Sequence, residues 1–476
     1  MKRRLIAICW LAAGVARAET PGADPLSALL AGTRGLTSNE AARRAADSSF
    51  EARAKERASD VAEARREGAE AGYWPRLTGT ARYTRLSALP PAQLADPRYA
   101  FVVSQGPPGA VMPGDPLFAF AFPPFTVPVN QYLAQASLTV PISDYVWRVS
   151  QGIAAATHSL RAARIDEQAA RLKVAADARI AYYQWIRARG QAVVAEEALE
   201  QASGHLREIR QTFSAGVSSK ADTLRAESQL KTSELLVTRT GNVAVLAEEQ
   251  LRVLMHDPGH APYAIGEDVA APLPALTGSD DLPGLLDEAF DHRLELRALD
   301  ETAGSVRELG RVARAGRLPR LDVTGNVVYA NPNPRIFPAQ QKFDATWDAG
   351  VVLSWTPTDL PATRATERER ASQEAELGAQ RGALLDGLRM EVTQAWQAER
   401  EAAVALETTR QGLVAAEEGY RVRRDLFRNG KATLIEVTDA ETDLTRARFE
   451  IVNAHIDAHI ARVRLTHAVG RDAPTR

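Results

Sequence analysis

The chain has 476 residues, with 58 basic and 60 acidic side chains, 45% hydrophobic residues and one cysteine. A near-neutral, slightly acidic balance argues against general nucleic-acid binding, and a lone cysteine excludes a disulfide scaffold or a zinc–thiolate site. Past the N-terminus no run of about 18 apolar residues occurs, so no helix can span a bilayer and any membrane crossing has to be made of strands.

Lys2, Arg3 and Arg4 precede the apolar run Leu5 to Val15 and then Ala16-Arg17-Ala18. This predicts a secretory signal peptide over residues 1–18. Cys9 lies inside the apolar run behind bulky Ile8, not at its end after a small residue, which argues against lipidation. Cleavage leaves 458 residues, no cysteine, and 54 basic against 60 acidic side chains, a net charge of −6.

A first structural repeat is read over 19–256. Thr37 with Glu40 makes a capping-box start, and a helical stretch to about Gly72 follows, roughly 50 Å long if continuous. At Trp74-Pro75-Arg76-Leu77 the period changes to two. Leu77, Gly79, Ala81 and Tyr83 then share one strand face, and Thr78, Thr80, Arg82 and Thr84 the other. A loop over 87–131, dense in Pro, Gly, Phe and Val, separates this strand (about 77–86) from a second (about 134–143) carrying Ala134, Ala136, Leu138 and Val140.

No proline occurs from Ile142 to Asp257, a stretch rich in Ala, Glu, Arg, Leu and Gln that reads as two long helices. They meet at Phe213 to Glu227, F-S-A-G-V-S-S-K-A-D-T-L-R-A-E. Gly216 can take the left-handed conformation that ends a helix. Ser218 or Ser219 can cap the next helix, and Asp222 suits its positive end. The turn is placed at about 213–222, and the returning arm carries Leu230, Val237, Ala244 and Leu251 at heptad spacing. Residues 257–283 hold five prolines and read as a linker folded against the helices.

The pattern then starts over in a second repeat, 284–476. Ala315 to Leu321 matches Ala71 to Leu77 at an offset of 244. Strands follow at about 321–329 and 345–356, the latter alternating Trp347, Ala349, Val351, Leu353 and Trp355 with polar and small residues. A second proline-free run bends at about 427–436, F-R-N-G-K-A-T-L-I-E, where Phe427 stands 214 positions after Phe213. Gly430, Glu436, Ala440 and Glu441 repeat Gly216, Asp222, Ala226 and Glu227, and Thr433 offers the cap. The heptad Leu444, Ile451, Ala458 and Leu465 repeats at the same offset. The chain is a tandem duplication of helix, two strands, long helix, shorter helix. Four strands cannot close a barrel, and an open sheet leaves edges exposed, so subunits must pool strands.

These paired motifs, the two W/L-P-R-L strand entries and the two F-x-x-G-x-x-x-x-x-D/E turns, resemble the TolC-type outer-membrane efflux channels over nearly the whole mature chain. The resemblance implies a mainly α protein with a transmembrane β-barrel portion. It also implies a homotrimer whose 12-stranded barrel would sit in outer-membrane lipid and continue into a helical barrel in the periplasm. The 257–283 linker would lie in a belt around that helical barrel. The function implied is the exit duct of a tripartite efflux or type I secretion system, working with a periplasmic membrane-fusion adaptor and an inner-membrane transporter. No catalytic role, cofactor or nucleic-acid partner is implied.

The resemblance also assigns site residues. Phe213, Gly216, Val217, Ser218, Phe427, Gly430, Lys431 and Ala432 would form the periplasmic tip where the adaptor docks. Acids six and nine positions after the second glycine line the closed mouth in the family, which places Glu436 and Asp439, with Asp222 of the first repeat, at the pore constriction. Family members often hold the tip shut with a basic residue two positions after that glycine. Ala432 stands there, so Lys431, Arg428 or Arg424 would have to serve.

Two other readings stand beside this one, a periplasmic helical-hairpin adaptor and a secreted coiled-coil structural protein. An adaptor needs one hairpin where two are present, and a coiled coil does not need the strands. His455 and His459 stand four apart on a helix, a metal-ligand spacing, but no third ligand has suitable spacing and they read as interhelical polar residues. Arg364 to Arg370 alternates with Glu as a solvated helix face.

Overall fold

The computed structural model describes residues 25–472, apart from 33, 88–100, 103–106, 108–112, 116, 119–127, 217, 275–277, 279 and 338. The signal peptide and most of the 87–131 loop lie outside the described residues. Helices are α1 Pro25–Leu30, α2 Ser38–Ser48, α3 Phe50–Glu70, α4 Ser150–Ser214, α5 Lys220–Met255, α6 Leu282–His292, α7 Leu294–Ala315, α8 Leu360–Arg428 and α9 Leu434–Val469. The main strands are β1 Arg76–Arg85, β2 Asn130–Val140, β3 Arg320–Asn331 and β4 Asp344–Ser354.

The duplication holds to the residue. Elements α2, α3 and β1 begin 244 positions before α6, α7 and β3, and the starts of β2 and α5 and the end of α4 lie 214 positions before those of β4, α9 and α8. Thr37 and Asp281 cap equivalent 11-residue helices. The single helix expected from Thr37 to Gly72 is two helices, because the chain breaks at Ser49, whose Oγ accepts the amides of Glu51 and Ala52 at 3.1 and 3.3 Å. Arg293 makes the equivalent break in the second repeat. Strand edges also differ: β2 begins at Asn130 and ends at Val140, and a short helical turn with a π-turn over Tyr145–Val149 leads into α4.

One compact unit comprises residues 60–161 and 301–378. Its sheet is an antiparallel meander in the order β1-β2-β3-β4. Register aligns Leu77 with Leu138, Ala136 with Val327, and Val327 with Trp347, so the alternating apolar sets of all four strands fall on one face. That face is the bare one, with Leu77 72%, Val351 68% and Trp347 77% exposed. The other face carries Thr78, Ser137, Thr324 and Asn326, with Asn326 donating to Asp348 at 2.8 Å. A soluble sheet covers its apolar face; here the polar one is the more covered.

Among the described residues, the other unit comprises 25–59, 162–300 and 379–472. Its core packs Tyr182, Trp185, Ile186, Leu251, Val452 and Ile456 against Leu26, Leu30, Leu36 and Val269. The linker is held at this core by backbone bridges, Leu36 to Ile265 and Ala31 to Asp268. The approach is so close that a Cβ on Gly35 would lie 2.1 Å from the Ala264 carbonyl, which requires glycine there. Tyr183 donates to Glu267 at 2.6 Å, and the Ser38 amide donates to the same carboxylate at 3.0 Å. His459 stacks on Tyr183 and donates from Nε2 to the Val269 carbonyl at 3.1 Å, so this histidine holds the linker. The second heptad, Leu444, Ile451, Ala458 and Leu465, is buried throughout.

Candidate functional site

Both hairpin bends lie in the helical unit and are built alike. Gly216 has φ 78° and donates to the Phe213 carbonyl at 2.9 Å. Gly430 has φ 67° and donates to Phe427 at 2.9 Å, while the Lys431 amide reaches the Leu426 carbonyl at 2.8 Å. These are the bonds of a left-handed helix end. Each returning helix then starts on a reciprocal capping box. The Ser219 Oγ accepts the Asp222 amide at 3.1 Å and the Ser219 amide donates to Asp222 Oδ2 at 3.0 Å. In the second turn Thr433 Oγ1 accepts the Glu436 amide at 3.4 Å, and the Thr433 amide donates to Glu436 Oε2 at 2.6 Å. Ser218 is not a cap; its amide donates to the Thr212 carbonyl at 3.3 Å. Val217 lies outside the described residues.

The capping bonds set the charge of the turns. Hydrogen bonds from the Ser219 hydroxyl and amide hold the Asp222 carboxyl below its usual range. Those from the Thr433 amide and hydroxyl do the same for Glu436. Both remain ionised; Asp222 is half-buried, Glu436 is exposed, and Asp439 is exposed one helical turn beyond it.

The two bends differ in what surrounds them. Phe213 is 45% exposed. Phe427 packs toward Leu206, Ile209, Ala226 and Leu434, with its ring 5.8 Å from His205. Arg428 donates to Glu208 Oε1 at 2.7 Å, and the Arg424 guanidinium stands 3.7 Å from the same oxygen. Partial burial pushes the Glu208 carboxyl up, but the Arg428 bond and the two guanidinium charges outweigh it and hold it low. Of the three cations that could replace a basic residue at Ala432, Arg428 and Arg424 thus tie the second hairpin to the first, while Lys431 is exposed.

Sequence reasoning missed Glu208, His205, Tyr420 and Glu441. Burial lowers the His205 pKa and raises that of Tyr420, which also faces Glu441. Glu208 could not be found from the repeat, because Val422 occupies its equivalent position. Glu441 carried a signal, since it repeats Glu227 at the same offset as the turns.

The chain matches the family described as outer membrane efflux protein over residues 41–255 and 285–471. No curated protein sequence matches it. Among solved structures, CusC has a TM-score of 0.73 at 14% identity, covering 92% of this chain and 93% of that one. The outer membrane channel CmeC of Campylobacter jejuni has 0.72 at 15% identity, covering 91% and 85%. The open state of the Neisseria gonorrhoeae outer membrane channel MtrE has 0.72 at 16%, covering 95% of each chain. At these identities the likeness is one of fold.

Proposed function

This chain belongs to the outer membrane efflux protein family, and we propose that its twin hairpin turns form the periplasmic mouth of the duct. Proteins of this family are outer-membrane channels and not enzymes. They act as homotrimers with adaptors and inner-membrane pumps, and extend from the outer membrane into the periplasm. On this reading residues 1–18 are the export signal, the halves 19–256 and 284–476 build the duct, and 257–283 belts its helical part.

Three copies of the four-stranded meander supply twelve strands. Their bare apolar face meets lipid and their polar face lines the lumen, the arrangement a membrane barrel requires. Strands of 10 to 12 residues have the length to cross a bilayer.

Adaptor docking is assigned to the tip residues Phe213, Gly216, Val217, Ser218, Phe427, Gly430, Lys431 and Ala432. Support comes from the two glycines. No atom lies within 4 Å of where a Cβ would stand on either, so a partner helix can approach bare backbone. The constriction is assigned to Glu436 and Asp439, with Asp222 contributing less. The observation that carries this is the second capping box, which keeps Glu436 ionised and exposed one turn from Asp439. Three such pairs around an axis concentrate negative charge, favour cations and attract a shared multivalent ion. The salt bridge of Arg428 and Arg424 to Glu208 takes the part of the hold across the mouth.

Single-channel conductance in planar bilayers tests the assignment. A trivalent cation added from the periplasmic side is expected to block the resting pore, and Glu436→Ala with Asp439→Ala to abolish the block and weaken cation selectivity. Undiminished block in the double variant would place the constriction elsewhere.

A further inference from the structure

The two hairpins are copies, yet one ion pair is made in only one of them. In the first, Arg210 on α4 donates to Glu227 on α5 at 2.8 Å, closing the hairpin on itself in solvent. The positions 214 residues later are Arg424 and Glu441. There the arginine lies against Glu208 of the first hairpin. Glu441 is only 3% exposed, and its Oε1 has no hydrogen-bond partner. Because Val422 replaces Glu208 in the second copy, the competing acid occurs once. Arg424 therefore has two carboxyls to choose between, and Arg210 has one.

We propose that Arg424 exchanges between Glu208 and Glu441, and that the proton on Glu441 decides which, tying or freeing the second hairpin at the mouth. This inference rests on the reading of the turns as the mouth of the duct. The two states are both drawn from the molecule. In the one observed, Arg424 and Arg428 together hold Glu208, and the hairpins are joined. In the other, Arg424 folds onto Glu441 as Arg210 folds onto Glu227, leaving Glu208 to Arg428 alone.

A carboxyl buried without a partner keeps its proton, because the ion would be desolvated with nothing to replace water. Burial pushes the Glu441 carboxyl up to about 7, opposed only by the Arg424 charge. The other ionisable groups in this cluster are Tyr420 and Arg428 on α8 and His205 and Glu208 on α4. Burial favours neutral forms for both His205 and Tyr420, so near neutrality the proton in play is that of Glu441. Joining Arg424 stabilises the ionised acid, so the freed state binds fewer protons. Raising the pH must then favour it, and acid must restore the tie.

The test uses the full-length trimer in planar bilayers at pH 6 and pH 8. With a tied-state pKa of about 7 and a freed-state value near the ordinary ~4.3, the ratio of freed to tied chains rises about tenfold from pH 6 to pH 8. Conductance should rise accordingly. Glu441→Gln should be flat, at the acid level, at both values. Glu208→Gln should be flat at the alkaline level, since the tie is gone. A wild-type pH profile in Glu441→Gln would overturn the exchange while leaving the mouth assignment standing. Conductance in Glu208→Gln equal to that of the wild type at pH 6 as well as at pH 8 would instead overturn the hold across the mouth. If Glu441→Gln does not assemble, infrared spectra of the wild-type trimer decide. A protonated-carboxyl band that fades near neutrality is expected, and its absence overturns the proposal.

Discussion

Gly430 sits at φ 67° with no atom within 4 Å of where a Cβ would lie, so a side chain there would meet backbone strain and nothing else. For a β-branched residue that strain is roughly 1 kcal/mol or more. Gly430→Val is expected to reduce export in cells while the yield of trimer on detergent gels is unchanged. Loss of trimer would make the glycine a general folding determinant. Glu441 gives the second prediction at this scale. Its folded pKa, about 7, is raised above the ~4.3 of an unfolded chain. Between those values the folded state holds the extra proton, so stability falls as pH rises through that window. Glu441→Gln has no proton to lose. Its melting temperature should therefore gain on wild type between pH 5 and pH 8, by the equivalent of about 2 kcal/mol per chain. A gap that stays constant or narrows would show that Glu441 is hydrated and not buried.

Helix ends are where sequence chemistry is most local, and both capping boxes are legible in the order of residues. Ser219 and Thr433 each stand three residues before an acid, and each accepts the amide of that acid. Thr433→Ala should cost about 1 kcal/mol at the start of α9. Amide hydrogen exchange at residues 434–437 would then speed up about fivefold, that cost converted through RT. Unaltered exchange would mean that Leu434, buried with Leu206, Ile209 and Ala226, starts the helix without the cap. The break at Ser49 had a local signal that the single-helix reading missed, a serine able to cap the amides of Glu51 and Ala52, whereas the break at Arg293 was not legible, because arginine is an ordinary helix former. Strand faces were legible from period-two alternation, and pairing kept every apolar set on one side. The link from Glu208 to Arg424 and Arg428 was not, because it joins residues more than 200 positions apart and has no copy in the other repeat. Local chemistry repeats with the duplication; contacts between the copies do not.

At the scale of the molecule, a single chain leaves too much unpaired to stand alone. Strands β1 and β4 are both sheet edges, each with a row of free backbone donors and acceptors. On α5, Leu224, Leu235 and Leu246 stand 11 apart and are 55%, 49% and 58% exposed, an apolar stripe left uncovered by the described residues of its own chain. The first demand is met when β1 of one copy pairs with β4 of the next, and the second when helices of different copies pack together. The mature protein should therefore run in mild detergent as a trimer of roughly 150 kDa, at about 50 kDa per chain. Register makes a sharper test available. Thr80 on β1 lies level with Gln135, then Val328, then Thr346 on β4, all on the polar face. The only cysteine of the chain, Cys9, falls in the expected signal peptide, so introduced cysteines have no competitors. A short series of double variants pairing positions around Thr80 with positions around Thr346 allows for the stagger that closing a barrel imposes. At least one pair should form a disulfide between copies on mild oxidation and give a covalent trimer on denaturing gels, reversed by reductant. A monodisperse monomer in detergent, with no cross-link at any stagger, would sink the shared barrel.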